Sequence, residues 1–287
     1  MSVSCLVNGE LTDQINVLDR GLTYGDGVFE TIAMLDYRLP LWHQHMQRLI
    51  SACKCLNIEP PDPQLLERET SRVIDKKKPS GTIRITITRG VGRRGYRPNT
   101  ETGPTRIISF HDNNERSADY WTNGIALRLC RTRLGKSVVA GLKHLNRLEQ
   151  VLAQSEWSSQ DDFQEGVMLD YDGAVIEGTM SNIFAVIDDE IITPSLEHCG
   201  VEGVMRASVI ELAKEHDLSL RIRKLSLEEI KTASEVFMTN SSVRIWPVRQ
   251  FKEISWTAPG AMTSRLMSLL DTKLSTSGIL VNVENTI

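Results

Sequence analysis

No stretch of the 287 residues approaches the roughly 18 apolar residues that a membrane-spanning helix requires. The opening Met-Ser-Val-Ser-Cys-Leu-Val-Asn-Gly has neither a basic start nor a long apolar core, so no secretory leader is expected. Cysteine is scarce and odd in number: five, at positions 5, 53, 55, 130 and 199, with no CxxC pair. Cys53 and Cys55 lie two apart in a helical pattern and point in different directions. A disulfide framework and a zinc site are therefore not expected, and a reducing cytoplasm is. Neither sign of charge dominates, since 33 Lys and Arg stand against 37 Asp and Glu, a formal net charge of −4. Such a chain has no general attraction to nucleic acid or to an anionic membrane, and a small-molecule substrate is expected instead.

Several common catalytic signatures are missing too. There is no GxSxG elbow, which removes the familiar serine-hydrolase arrangement. Gly135-Lys136-Ser137 ends like a P-loop, but Cys130 stands where that motif requires its first glycine. His43 and His45 are two apart on a helical stretch, whereas sharing a metal needs i, i+4 spacing, so no metal is expected. Gly90-Val-Gly92-Arg-Arg-Gly95 matches GxGxxG after a strand pattern. A dinucleotide fold would open a helix there; Tyr96-Arg-Pro98 follows instead, and a loop is expected.

What is present is an ordinary globular composition, 40% hydrophobic and 24% charged, with length enough for two domains. A turn-rich stretch from Asp19 to Gly27 precedes a strand pattern over Val28–Met34. Apolar residues at 42, 46, 49, 50, 53 and 56 keep the helical period. Ile83, Ile85 and Ile87 alternate with Arg84, Thr86 and Thr88, a half-buried strand whose antiparallel neighbour is Thr105–Phe110. The polar run over 111–117 is the best linker, giving a small domain at 1–112, a linker at 113–120 and a larger domain at 121–287. Within the larger domain, Ile125–Leu129 reads as a strand, and Leu145, Leu148, Val151 and Leu152 predict a helix opening just after Lys143. Asp172-Gly173 marks a hairpin, and a second strand pair flanks Asp188-Asp189. Val204–His216 reads as a helix and Val236–Met238 as a strand, with a capping box at Ser226-Leu-Glu-Glu229 between them. No steady strand–helix alternation runs through the chain, so two α+β domains are expected rather than a doubly wound sheet.

One segment carries chemistry. Lys143 sits between a strand pattern and a helix pattern, and a lysine in partly apolar surroundings gives up its proton more readily to become a nucleophile. Taken alone it reads equally as a solvated surface lysine. The run Gly141-Leu-Lys143-His-Leu-Asn-Arg-Leu-Glu149-Gln resembles the cofactor-lysine segment of the fold-type IV pyridoxal 5′-phosphate (PLP) enzymes, and of that family's lyase branch in particular. Val175-Ile-Glu177-Gly-Thr-Met-Ser-Asn182-Ile-Phe and Asp19-Arg-Gly-Leu-Thr-Tyr24-Gly-Asp-Gly27-Val-Phe-Glu30 are similar to its other signatures. The resemblance runs in order from Asp19 to about Val248.

That resemblance implies a fold of mixed α+β and α/β character. It has a small N-terminal α+β domain, a larger C-terminal mixed β-barrel-like domain with helices, and an active site at the domain interface. It implies that Lys143 forms the Schiff base and shuttles the proton, and that Glu177 pairs with the pyridine nitrogen. For the cofactor phosphate it implies Arg48, the backbone of Val204 and Met205 at a helix start, and Asn240 and Ser241. On the helical wheel Arg48 lies off the apolar stripe, so a solvated arginine stays open beside the phosphate role. Asp19 and Arg20 are expected to organise their turn rather than act chemically. A homodimer is a family expectation only.

The reaction implied is conversion of 4-amino-4-deoxychorismate to 4-aminobenzoate and pyruvate. The residues after Lys143 and the Arg89–Arg97 loop favour it. Arg94, Tyr96 and Arg97 are candidates to meet the dicarboxylate substrate, with solvated loop charges as the alternative. An aminotransferase acting on D- or branched-chain amino acids is the runner-up. A non-catalytic binding protein would tolerate loss of Lys143 or Glu177, and both are present.

Overall fold

The computed structural model describes residues 4–98, 103–112, 116–158 and 160–281. The chain divides into two compact units, one of residues 1–114, 143–146 and 274–287, the other of residues 115–142 and 147–273.

The first unit contains β1 (Ser4–Val7), β2 (Glu10–Leu11), α1 (Arg20–Tyr24), β3 (Gly27–Met34), β4 (Arg38–Leu39), α2 (Trp42–Cys55), α3 (Pro63–Val73), β5 (Gly81–Thr88) and β6 (Thr105–His111). Its sheet runs β2-β1-β6-β5-β3, every pair antiparallel. Ile83, Ile85 and Ile87 are fully buried as expected, but the strand is half-buried only as far as Arg84, since Thr86 and Thr88 are buried as well. α2 buries Trp42, Met46, Leu49 and Cys53 on one face. Asp19 caps α1 through Gly21 N–H, and its other carboxylate oxygen accepts from Thr88 Oγ1 at 3.0 Å, organising the turn as expected.

β3 lies at the end of this sheet, and its outer edge is covered by residues 143–145. Val28 bridges His144, Phe29 N–H donates to the Lys143 carbonyl at 2.9 Å, and Leu145 N–H to the Gly27 carbonyl at 3.0 Å. This corrects the sequence expectation that a helix opens just after Lys143. With those backbone groups committed to β3, the helix waits until Leu148.

The second unit contains α4 (Asp119–Thr122), β7 (Ile125–Leu134), α5 (Leu148–Gln154), β8 (Glu165–Asp170), β9 (Val175–Gly178), β10 (Asn182–Ile187), β11 (Glu190–Thr193), α6 (Val204–Glu215), β12 (Leu220–Ile222), α7 (Leu227–Thr232), β13 (Glu235–Asn240), β14 (Arg244–Phe251), β15 (Ile254–Ser255) and α8 (Ala261–Thr276), whose last turn belongs to the first unit. Its sheet is mixed, ordered β12-β11-β10-β13-β14-β7-β8-β9 with β15 beside β14. The β11/β12, β14/β7 and β7/β8 pairs are parallel. Ile125, Leu127, Val167, Ile183, Met238 and Trp246 sit in the core beneath it.

Both turn expectations hold: Gly173 takes φ of 82° between the antiparallel β8 and β9, and Asp188 and Asp189 take φ of 50° and 60° between the antiparallel β10 and β11. The capping box at Ser226 and Glu229 is complete. Of the expected linker over 113–120, residues 113–115 lie outside the described residues, and Asp119 opens α4. Among the described residues no helix is long and apolar enough to cross a membrane.

Candidate active site

Strand alternation sends Phe29 and Glu30 to opposite faces of β3, and each meets a different part of the candidate machinery. Lys143 is half-buried, and its Nζ stands 4.4 Å from the centroid of the Phe29 ring. The Arg84 guanidinium lies 4.1 Å from the same centroid. Phe29 therefore fixes Lys143 twice, by its amide on the lysine carbonyl and by its ring beneath the amine.

Glu30 is buried and holds two residues of α2. Its carboxylate accepts from Arg48 Nε at 2.7 Å and from Arg48 Nη2, and lies 2.7 Å from His45 Nδ1. Burial alone would raise the Glu30 carboxyl, but Arg48 and His45 outweigh it and hold the group at about 2. Burial pushes His45 below its ordinary value against the pull of Glu30. A neutral His45 donates from Nδ1 to the carboxylate. Arg48 is thus a held guanidinium, with a partner on a different element, rather than the solvated side chain its helical position allowed.

In the second unit Glu177 lies on β9, opposite Met168 of β8. It is buried, one oxygen accepting from Val201 N–H at 2.8 Å and the other facing the Gln150 amide at 3.5 Å. Asn182 donates to the Val201 carbonyl at 2.9 Å, and its side chain fills the space a Cβ on Gly203 would need. Gly203 begins α6 with no side-chain cap, so the N–H groups of Val204 and Met205 stand at an uncapped helix start. The Arg206 guanidinium turns elsewhere, to the Pro194 carbonyl and Thr193 Oγ1.

Asn240 ends β13 and has its side chain spent on local structure. Its amide nitrogen donates to the Met180 carbonyl, and its oxygen accepts from the N–H groups of Ser242 and Val243. What Asn240 and Ser241 offer an anion is therefore weighted toward backbone and hydroxyl groups. The turn carrying Met180 is built on Glu165, a fully buried carboxylate that accepts from Gly166 N–H, Thr179 N–H and hydroxyl, Met180 N–H and Ser181 Oγ.

Of the residues singled out in the sequence, Glu177, Val204 and Met205 are joined through Val201 and Asn182, and Asn240 joins them through the turn after β9. In the first unit, Lys143 packs on Phe29 and Arg48 on Glu30. Arg94, Tyr96 and Arg97 lie on an exposed loop. Sequence reasoning passed over Phe29, Glu30, His45 and Gln150. Phe29 and Glu30 stood inside a quoted signature, and strand alternation was the signal that could have separated their jobs. Among the described residues no group of His, Cys, Asp or Glu could hold a metal ion.

In the first unit an amine rests on an apolar ring, which suits a carbonyl-bearing cofactor. The second unit by itself has an uncapped helix start, which suits an anion, and a buried carboxylate held in place by donors. Comparison with known proteins agrees. The model of the class IV amino-transferase family matches residues 27–251. An aminodeoxychorismate lyase of Vibrio harveyi is 37% identical over 244 residues, 84% of this chain and 89% of that protein. The crystal structure of a 4-amino-4-deoxychorismate lyase from Pseudomonas aeruginosa superposes with a TM-score of 0.88 at 42% identity, covering 94% of this chain and 99% of that one. A branched-chain amino acid aminotransferase of Escherichia coli gives 0.85 at 28% identity, covering 94% of each chain.

Proposed function

This chain belongs to the class IV amino-transferase family, and from that premise we propose that it is a PLP-dependent lyase converting 4-amino-4-deoxychorismate to 4-aminobenzoate and pyruvate. The fold is the two-domain type IV arrangement of that family. The observation that carries the reading is the fixed amine of Lys143, held at both backbone and side chain by Phe29. Identities of 42% and 37% to lyases, against 28% to an aminotransferase, favour this reaction over amino transfer.

When bound, PLP supplies an aldehyde for amines and a ring that withdraws electrons from the carbon bearing the substrate nitrogen. The protein's own residues supply the rest. Lys143 would hold the cofactor through its amine, and the same amine would serve as the base that takes the proton from the substrate carbon bearing nitrogen and as the acid that gives one to the departing three-carbon fragment. Glu177 would be the partner for the pyridine nitrogen, and its ties to Val201 and Gln150 set its direction. Arg48, the Val204 and Met205 amides, Asn240 and Ser241 would hold the phosphate. Arg94, Tyr96 and Arg97 meet the carboxylates of the substrate. Aromatisation of the product ring drives the step, so the protein has chiefly to orient and polarise.

Two coarser features extend the proposal. α5 exposes Leu148, Val151 and Leu152 at 75%, 57% and 60%, an apolar face that supports a homodimer. Five free cysteines support a reducing cytoplasm. The test is direct: supply purified protein with aminodeoxychorismate and measure pyruvate and 4-aminobenzoate. Equimolar appearance of the pair is expected. Amino transfer to a keto acid without that pair would make the runner-up correct.

A further inference from the structure

The glycine-rich run Gly90–Gly95 opens no helix, yet its backbone is closely held. Arg20 N–H donates to the Gly90 carbonyl at 2.9 Å, Asp19 bridges Val91, and Gly92 N–H donates to the Leu18 carbonyl at 3.2 Å. A Cβ on Gly92 would press on the Arg20 side chain at 2.7 Å, so the backbone passes directly over that arginine. Beyond Gly92 the loop turns outward, and residues 93–98 are all exposed.

What fixes the exposed part is Arg20, itself 3% exposed. Its Nη1 donates to the Gly95 carbonyl at 2.8 Å and its Nη2 to the Tyr96 carbonyl at 3.2 Å. Its Nε donates to Asp26 at 3.0 Å, and Asp26 is held from the other side by Arg89 at 2.7 and 3.0 Å. Tyr24 completes the clamp: its hydroxyl accepts from Gly95 N–H at 2.8 Å, and its ring lies 4.5 Å beneath the Arg20 guanidinium and edge-on to Tyr96. A buried guanidinium directed at two carbonyls of a solvent-facing loop is more than the turn of α1 needs, because Asp19 already caps that helix.

We propose that Arg20 is a positioning residue that holds the Arg93–Pro98 loop in the one conformation in which it receives the substrate carboxylates. The inference rests on the reading that this loop meets substrate, and it makes Arg20 a determinant of substrate affinity without contact to substrate. Lysine in its place keeps the charge for Asp26 but cannot fork onto two carbonyls.

Two readouts on the PLP-loaded Arg20→Lys protein separate the inference from the reading beneath it. The first is limited trypsin digestion, with cleavage after Arg93 and Arg94 followed by mass. The expected rate is about tenfold above the parent protein's, the order set by losing one charge-assisted hydrogen bond. Unchanged cleavage there overturns the inference whatever the loop binds. The second is steady-state kinetics, where KM should rise by about tenfold with kcat within about twofold and the visible cofactor band unaltered. A fall in kcat with KM unmoved overturns it.

Arg94→Ala and Arg97→Ala test the reading itself. Loop variants that raise KM beside an Arg20→Lys protein that does not would sink the inference and leave the reading standing. Cleavage that accelerates while no loop variant moves KM would sink the reading and with it the substrate role, leaving only the anchoring of the loop by Arg20. Tyr24→Phe, which removes only the Gly95 acceptor, should move cleavage in the same direction by a smaller factor, and covers the case in which Arg20→Lys folds poorly.

Discussion

Glu30→Gln takes the negative charge from between Arg48 and His45 while keeping the shape of the side chain, and its cost can be worked from the geometry. The carboxyl is drawn from 4.5 to about 2 in the folded chain. That interval corresponds to roughly 3 kcal/mol of stability at neutral pH. The amide removes that contribution and turns an N–H group toward the donors of Arg48, so the variant should be less stable by about 3 kcal/mol at pH 7. The pH dependence is the sharper expectation. Because the group titrates lower in the folded chain, the unfolded chain takes up its proton first. Glu30's contribution is thus complete above 4.5 and lost as pH falls toward 2. At about pH 3.5 it has lost about 1.4 kcal/mol, so the stability gap between parent and variant should narrow by up to that amount, with part offset because His45 protonates less readily in the variant, which lacks the pull of Glu30. Urea unfolding of both proteins at the two pH values measures the gap, with all other carboxyl groups common to both. A gap that stays constant would refute the account of Glu30 as an ionised anchor for Arg48.

The remaining expectations concern chemistry and assembly. Lys143→Ala should abolish turnover, and borohydride treatment of the parent protein should fix the cofactor to position 143, read by peptide mass. Glu177→Gln should retain cofactor but lose on the order of a hundredfold in kcat, measured with saturating substrate. Exchanging Leu148, Val151 and Leu152 for Gln, Thr and Gln should shift sedimentation from dimer to monomer with little change in far-ultraviolet circular dichroism.

Much of the architecture was legible because the signals were local. The isoleucines of β5, the Asp172-Gly173 turn and the Ser226 capping box each involve neighbours in sequence, and periodicity or side-chain chemistry reports them directly. The same logic misled after Lys143. Leu148, Val151 and Leu152 do form a helix, but its start is set by a strand more than a hundred residues earlier, and its apolar face is exposed rather than core. β14 carries Pro247 opposite Phe237, a residue that argues against an interior strand when read alone. In the candidate site, Lys143 and Glu177 were legible through motif likeness. Glu30 was not read as the anchor of Arg48, because nothing in spacing links a strand residue to a helix residue 18 positions away. The Gly90–Gly95 run was read rightly as a loop, while its attachment to Arg20 depended on a pairing over 75 positions.

The visit of residues 143–146 to the first unit, and the return of residues 274–281 beside β4, bear on how the protein is made. A nascent chain released at residue 114 would lack the strip that covers the edge of β3 and the segment that pairs with β4. The first unit therefore cannot finish folding when residue 114 leaves the ribosome; the edge of β3 stays open until residues 143–145 follow, and β4 waits for residues 279–280. Splitting the gene between the two units should give fragments that aggregate apart and recover together, with the reactive lysine on the fragment that does not contain its ring partner.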